Sequence, residues 1–197
     1  IADTALHLAR ALDLRLFHAP ARWKPRTFRG ERVPSTSGLA ILARPDAGAM
    51  EVLELPDDPC DGQRIAQAVT LRSEGVRLRL VNLHLTHLRD AAELRRSQLD
   101  AVLAHWGGDG LPTLLAGDFN APFDDPALAG LRARHDLDVG PEAPTEWPGT
   151  MLPAATARAI DHLLLLRGGS APLPRIVSRT RVLDRPDTDG VLPSDHA

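Results

Sequence analysis

A single α/β domain, with helices packed outside paired, mixed β-sheets, is the fold class that this 197-residue sequence predicts. Three observations carry that prediction. Strand-like apolar segments outnumber segments of helical periodicity, and the helical ones are scattered between the strands. Neither an internal repeat nor a linker divides the chain, and its length fits one domain. A chain of this size, 43% hydrophobic, buries enough surface to fold without a disulfide or structural metal.

The elements follow in order. Ile1, Ala5, Leu8, Ala9 and Leu12 recur at helical spacing, and Leu14 to Phe17 reads as a short strand. Residues 19–37, rich in Pro, Arg, Ser and Thr, read as a surface loop. Gly38 to Ala43 and Met50 to Leu55 read as strands on either side of Pro45 and Gly48. Ile65 to Leu71 and Val76 to Leu83 form a hairpin across Ser73-Glu74-Gly75, with Val76, Leu78 and Leu80 alternating against Arg77 and Arg79. A helix is expected from about Asp90 to Trp106, then a strand from Thr113 to Ala116. Asp125 or Pro126 opens another helix through about Arg134. After a Pro-rich loop at 140–157, Ala159 to Leu166 and Ile176 to Leu183 are the last expected strands.

Composition excludes several functions. Cys60 stands alone, so neither an intramolecular disulfide nor a cysteine-based zinc site is available. Apolar runs stay well short of the ~20 residues of a membrane span. A net charge of −3 argues against attachment to nucleic acid by bulk charge. No signal peptide is visible, and a cytoplasmic location is only slightly favoured. Arg22, Lys24, Arg26, Arg29 and Arg32 share one expected loop, and Arg175, Arg179, Arg181 and Arg185 form a second basic stretch. Only Trp23 and Phe28 lie nearby to stack on bases, which weakens a single-strand reading.

Four segments carry candidate chemistry. The strand entering Gly117-Asp118-Phe119-Asn120 places Asp and Asn two residues apart, on one face if the backbone stays extended. A carboxylate beside a carboxamide can orient a water and accept its proton. The alternative is an ordinary strand-to-turn junction. Asp161 lies in an apolar strand and needs a partner there, for which a histidine is the natural candidate. His162 points to the opposite face and reads as structural. Asp195 can bind a divalent cation, and His196 can pair with Asp161 or donate to a phosphate oxygen. Asn82 and His84 share a face at the end of a long strand, while Arg95 and Gln98 share a helix face with a solvated or packing role.

Taken together, the strings NLHL at 82–85, GDFN at 117–120, IDHLLL at 160–165 and SDH at 194–196 resemble the endonuclease/exonuclease/phosphatase superfamily. The weaker GLAILAR at 38–44 resembles the family's Gly-Asn-Ala strand, with Leu39 in place of the Asn. The resemblance implies a four-layered α/β sandwich, two mixed β-sheets face to face with helices outside. It also implies Mg2+-dependent hydrolysis of a phosphate ester, with Mn2+ or Ca2+ as alternative ions. The substrate is then a phosphate ester, nucleic acid among the candidates, with phospholipid or sugar phosphate as the alternative. Asp118 resembles the base that activates water, and Asn120 the residue that positions that water or the phosphate. His196 resembles the histidine supporting the phosphoryl oxygens, Asp161 its paired carboxylate, and Asp195 a metal-site aspartate. His84 matches a phosphate-contacting histidine of the deoxyribonuclease and sphingomyelinase branches. The family pattern further implies a strand and a metal-binding Glu upstream of Ile1, and a final core strand after Ala197. A non-catalytic binding module of the same fold is the rival from another class. The sequence leaves the oligomeric state open.

Overall fold

The computed structural model describes residues 4–44, 46–73, 75–141, 159–169, 174–180, 185, 188–190 and 196. The elements in chain order are α1 (Thr4–Ala11), β1 (Arg15–Trp23), β2 (Arg26–Phe28), β3 (Glu31–Val33), β4 (Thr36–Ala43) and β5 (Met50–Leu55). They continue with β6 (Arg64–Ser73), β7 (Val76–His84), α2 (Ala92–Trp106) and β8 (Thr113–Asp118). A 3-10 turn (Pro126–Leu128) leads into α3 (Ala129–Arg132), followed by β9 (Leu137–Asp138) and β10 (Asp161–Leu166).

Six strands form the central sheet in the order β5-β6-β7-β8-β10-β9. The alternation in β6 and β7 builds its antiparallel hairpin, in which Ala68 faces Val81 and Leu71 faces Leu78. β7 and β8 pair in parallel, a connection that needs a long crossover, and α2 supplies it. β8 and β10 pair antiparallel.

Side-chain alternation then sends each face of this sheet to a different partner. Ala66, Ala68, Val81, Leu83, Leu115 and Leu164 pack with Leu99, Val102 and Trp106 of α2. Trp106 is 2% exposed, and truncating a side chain of that size costs about 3–5 kcal/mol. On the opposite face Val69, Leu71 and Leu80 meet Phe17, Ile41 and Ala43 of the β1–β4 pair. Two amides stitch these sheets together: Gln67 Nε2 donates to the Phe17 carbonyl at 2.8 Å, and Asn82 Nδ2 to the Ala40 carbonyl at 3.2 Å. α1 lies against β1 and β4. The result is the four-layered α/β sandwich.

Several expectations change in detail. Residues 19–37 are not a loop: β1 continues through a bulge between Pro20 and Arg22 to Trp23, and β2 and β3 form a hairpin. The residues of β2 are all exposed, so no apolar alternation marks them in the sequence. In α1 only Ala9 is buried, while Leu8 and Leu12 face solvent. The helix expected at 125–134 is a 3-10 turn, capped by Asp125 on the Ala127 amide, and one helical turn. Residues 176–180 carry no strand, and 181–183 lie outside the described residues.

Candidate active site

The site begins with a glycine. At Gly117 a Cβ would stand 2.0 Å from the Leu83 carbonyl oxygen, and φ is +136°, so only glycine lets β8 lie this close to β7. The next residue is Asp118. Parallel register sets His84 of β7 opposite Asp118, and antiparallel register sets Asp161 of β10 opposite it on the other side. Residues facing each other across a ladder share a face, so three strands deliver His84, Asp118 and Asp161 as one row.

His196 completes the row. Its Nδ1 lies 2.8 Å from Asp161 Oδ2, the partner that a carboxylate within an apolar strand requires. His84 Nε2 lies 3.4 Å from Asp118 Oδ2. Burial pushes the Asp118 carboxyl up; the Asn120 amide opposes this, and the charge of Asp161 reinforces it. The His84 ring is held down to about 4, first by burial and then by the nearby Arg64 charge, so it is neutral at pH 7.

Asn120 reaches the site differently from the extended-backbone expectation. The strand ends at Asp118, and Asn120 turns to φ +50°, a conformation Asn tolerates. Its backbone amide donates to Asp118 Oδ1 at 2.7 Å, a turn that orients the carboxylate. Its side-chain Nδ2 donates to the Leu85 carbonyl at 3.0 Å. Phe119 is fully buried between them. Asp195 lies outside the described residues.

Other singled-out residues take structural places. His162 is buried, with Nε2 2.8 Å from the Ala121 carbonyl and its ring edge-on to Phe119. Asn82 serves the inter-sheet contact rather than the row. Arg95 and Gln98 are buried, not solvated. Arg95 Nη1 donates to the Leu88 carbonyl at 2.8 Å, and Gln98 Oε1 accepts from the Thr86 amide at 2.9 Å, fixing the loop after β7.

A second network escaped the sequence reading. Asp61 is fully buried and receives Arg64 Nε at 2.9 Å and Arg64 Nη2 at 2.6 Å. His87 Nδ1 lies 2.8 Å from both partners. Burial alone would raise Asp61, but hydrogen bonds from Arg64 and Thr86 outweigh it and hold the carboxyl at about 2. The available signal was an Asp three residues before an Arg at the start of a strand.

Among the described residues, Asp118, Asp161 and His196 form the group that could hold a metal ion, with ligand atoms within 4.8 Å of one another. Two facing carboxylates concentrate negative charge, and a hard divalent cation prefers such oxygens, so the residues present fit one. The sequence matches the Endonuclease/Exonuclease/phosphatase family over residues 3–196. No curated protein matches it in sequence. In fold it is similar to the human Nocturnin catalytic domain with bound sulfate anion, at 17% identity and TM-score 0.64. That match covers 84% of this chain and 65% of the other, so the chain spans just under two thirds of that relative's length. It is also similar to humanized D. rerio TDP2 with 14 mutations, at 18% identity and TM-score 0.71, covering 100% of this chain and 79% of that one. D. rerio TDP2 complexed with single strand DNA product follows at 16% identity and TM-score 0.68, covering 100% and 80%.

Proposed function

Because this chain belongs to the endonuclease/exonuclease/phosphatase family of hydrolases, we propose that it is a divalent-metal-dependent phosphoesterase in which Asp118 activates the attacking water. One observation carries the reading: strand register sets His84, Asp118 and Asp161 in a row that His196 closes at 2.8 Å.

Asp118 Oδ2, beside the His84 ring, takes a proton of the water as its oxygen attacks phosphorus, while the P–O ester bond breaks and the departing alkoxide takes a proton from solvent. Its raised basicity suits that task better than an ordinary surface carboxylate. The Asn120 amide holds the other carboxylate oxygen, which fixes the angle at which Oδ2 meets the water. Asp161 Oδ2 holds His196 at Nδ1, which directs the far side of the ring, Nε2, to a non-bridging phosphoryl oxygen. His84, neutral at pH 7, offers one hydrogen bond to the same phosphate. Mg2+, with Mn2+ or Ca2+ as alternatives, would be held by the Asp161 carboxylate together with Asp195, the metal-site aspartate that the family resemblance implies, and when bound supplies charge that neutralises the phosphate.

The non-catalytic alternative is disfavoured, because a binding module needs no aligned base and histidine–carboxylate pair. The test is hydrolysis of a generic phosphodiester, plasmid DNA and a sphingomyelin analogue by the full chain, with Mg2+ and with EDTA. The expected result is cleavage of at least one substrate that EDTA abolishes. Cleavage that survives chelation, or none of any substrate, overturns the reading.

A further inference from the structure

Beside the row, on the His84 side, lies a cavity of about 350 Å³ whose ionisable lining is entirely basic: Arg22, Lys24, Arg26, Arg64, His84 and His87. His84 belongs to both places, lining the cavity and standing 3.4 Å from Asp118. The floor is rigid. Arg64 is 8% exposed and fixed by Asp61, and Arg22 Nη1 donates to the Asp61 carbonyl. A Cβ on Gly62 would meet Arg22 Nη1 at 3.0 Å, so the glycine makes room for that guanidinium. The rim is different. Lys24 and Arg26 are exposed, and neither forms an ion pair with a carboxylate among the described residues. Beside the cavity, Asp61 is occupied by Arg64 and His87, and Asp118 stands against His84.

Cations gathered around a concavity without matching acids repel one another until an anion enters. Guanidinium forks and an ammonium are the donors that phosphate oxygens take best. A cavity near the lower end of ligand-site volumes, roughly 300 Å³, has room for one phosphoryl group and part of its carrier. We infer that this cavity is a subsite for a second phosphoryl group, carried on the same substrate molecule as the ester cleaved at Asp118. The inference rests on the phosphoesterase reading for the first phosphate and adds the substrate's second charge. A nucleotide strand and a small sugar bisphosphate share the chemistry it requires.

The test compares the full chain with its Lys24→Ala/Arg26→Ala double variant, two exposed positions whose loss leaves the core intact. With Mg2+, kcat/KM is measured on the thymidine dinucleotide TpT and on the same molecule bearing a 5′- or 3′-terminal phosphate. The unmodified chain should prefer one phosphorylated form by about tenfold, the size of one charge-assisted hydrogen bond, and the double variant should lose that preference. A second arm needs no catalysis: calorimetric binding of thymidine 3′,5′-bisphosphate, of a hexose bisphosphate and of thymidine, all in EDTA. At least one bisphosphate should bind the unmodified chain about tenfold more tightly than the variant, while thymidine binding does not change. Whichever bisphosphate shows the difference identifies the carrier. Cleavage of all dinucleotides without preference, with equal bisphosphate binding by both proteins, overturns the subsite and leaves the phosphoesterase reading standing. No cleavage at all, with bisphosphate binding still dependent on Lys24 and Arg26, overturns the phosphoesterase reading and supports the anion site.

Discussion

The row through Asp118 and the basic cavity meet at His84 but are held in place by different forces. The row stands on three central strands, where ladder hydrogen bonds fix each Cα and leave the side chains little choice of position. The cleft is assembled from the end of β1, the turn before β6 and the loop after β7, joined at one buried residue: Arg22 bonds the Asp61 backbone carbonyl, and Arg64 and His87 its carboxylate. Backbone register yields a rigid constellation suited to chemistry. Side-chain bonding yields a floor of fixed charge under a rim of exposed Lys24 and Arg26.

The same substitution at two glycines separates these designs most sharply. Gly117→Ala drives a Cβ into the Leu83 backbone oxygen at a positive φ. Strain and overpacking together predict a loss of about 4 kcal/mol, read as a lower urea midpoint. Next in size, if His196 supports the phosphate as proposed, His196→Ala should lower kcat on a phosphodiester by about a hundredfold with an unchanged circular dichroism spectrum, since no core contact is lost.

Acid should reach the cleft through Asp61. Its folded pKa of about 2 lies below the ordinary carboxyl value of 3.8, so it adds stability above that value and loses it as pH falls towards 2. Urea midpoints between about pH 5 and pH 2 should fall for the unmodified chain. They should start lower and fall less for Asp61→Asn. The smallest effect belongs to Gly62→Ala. There φ is +76° and the Cβ meets side-chain atoms of Arg22 rather than backbone, so the predicted loss is about 1 kcal/mol, measured the same way. Equal losses at Gly62 and Gly117 would erase the proposed difference between the regions.

Legibility in the sequence follows the same division. β7, β8 and β10 were readable because alternation and apolar runs record burial directly, and His84, Asp118 and Asp161 sit inside those strands. Asp161 announced its need for a partner by lying in an apolar run. The β2–β3 hairpin left no such mark, since most of its side chains face water. Nor did the cleft: Arg64 and His87 meet only after β7 returns the chain across 23 residues. The turn at Asn120 was hidden because the i, i+2 argument assumes extended backbone, and the chain leaves that conformation just beyond Asp118.

The most direct measurement of the central claim is kcat for hydrolysis of bis(p-nitrophenyl) phosphate, with Mg2+, by the full chain and by Asp118→Asn. The substitution keeps the shape of the side chain and removes its basicity. Asp118→Asn should lose about a thousandfold in kcat with the fold intact. An Asp118→Asn enzyme as fast as the unmodified chain would contradict it.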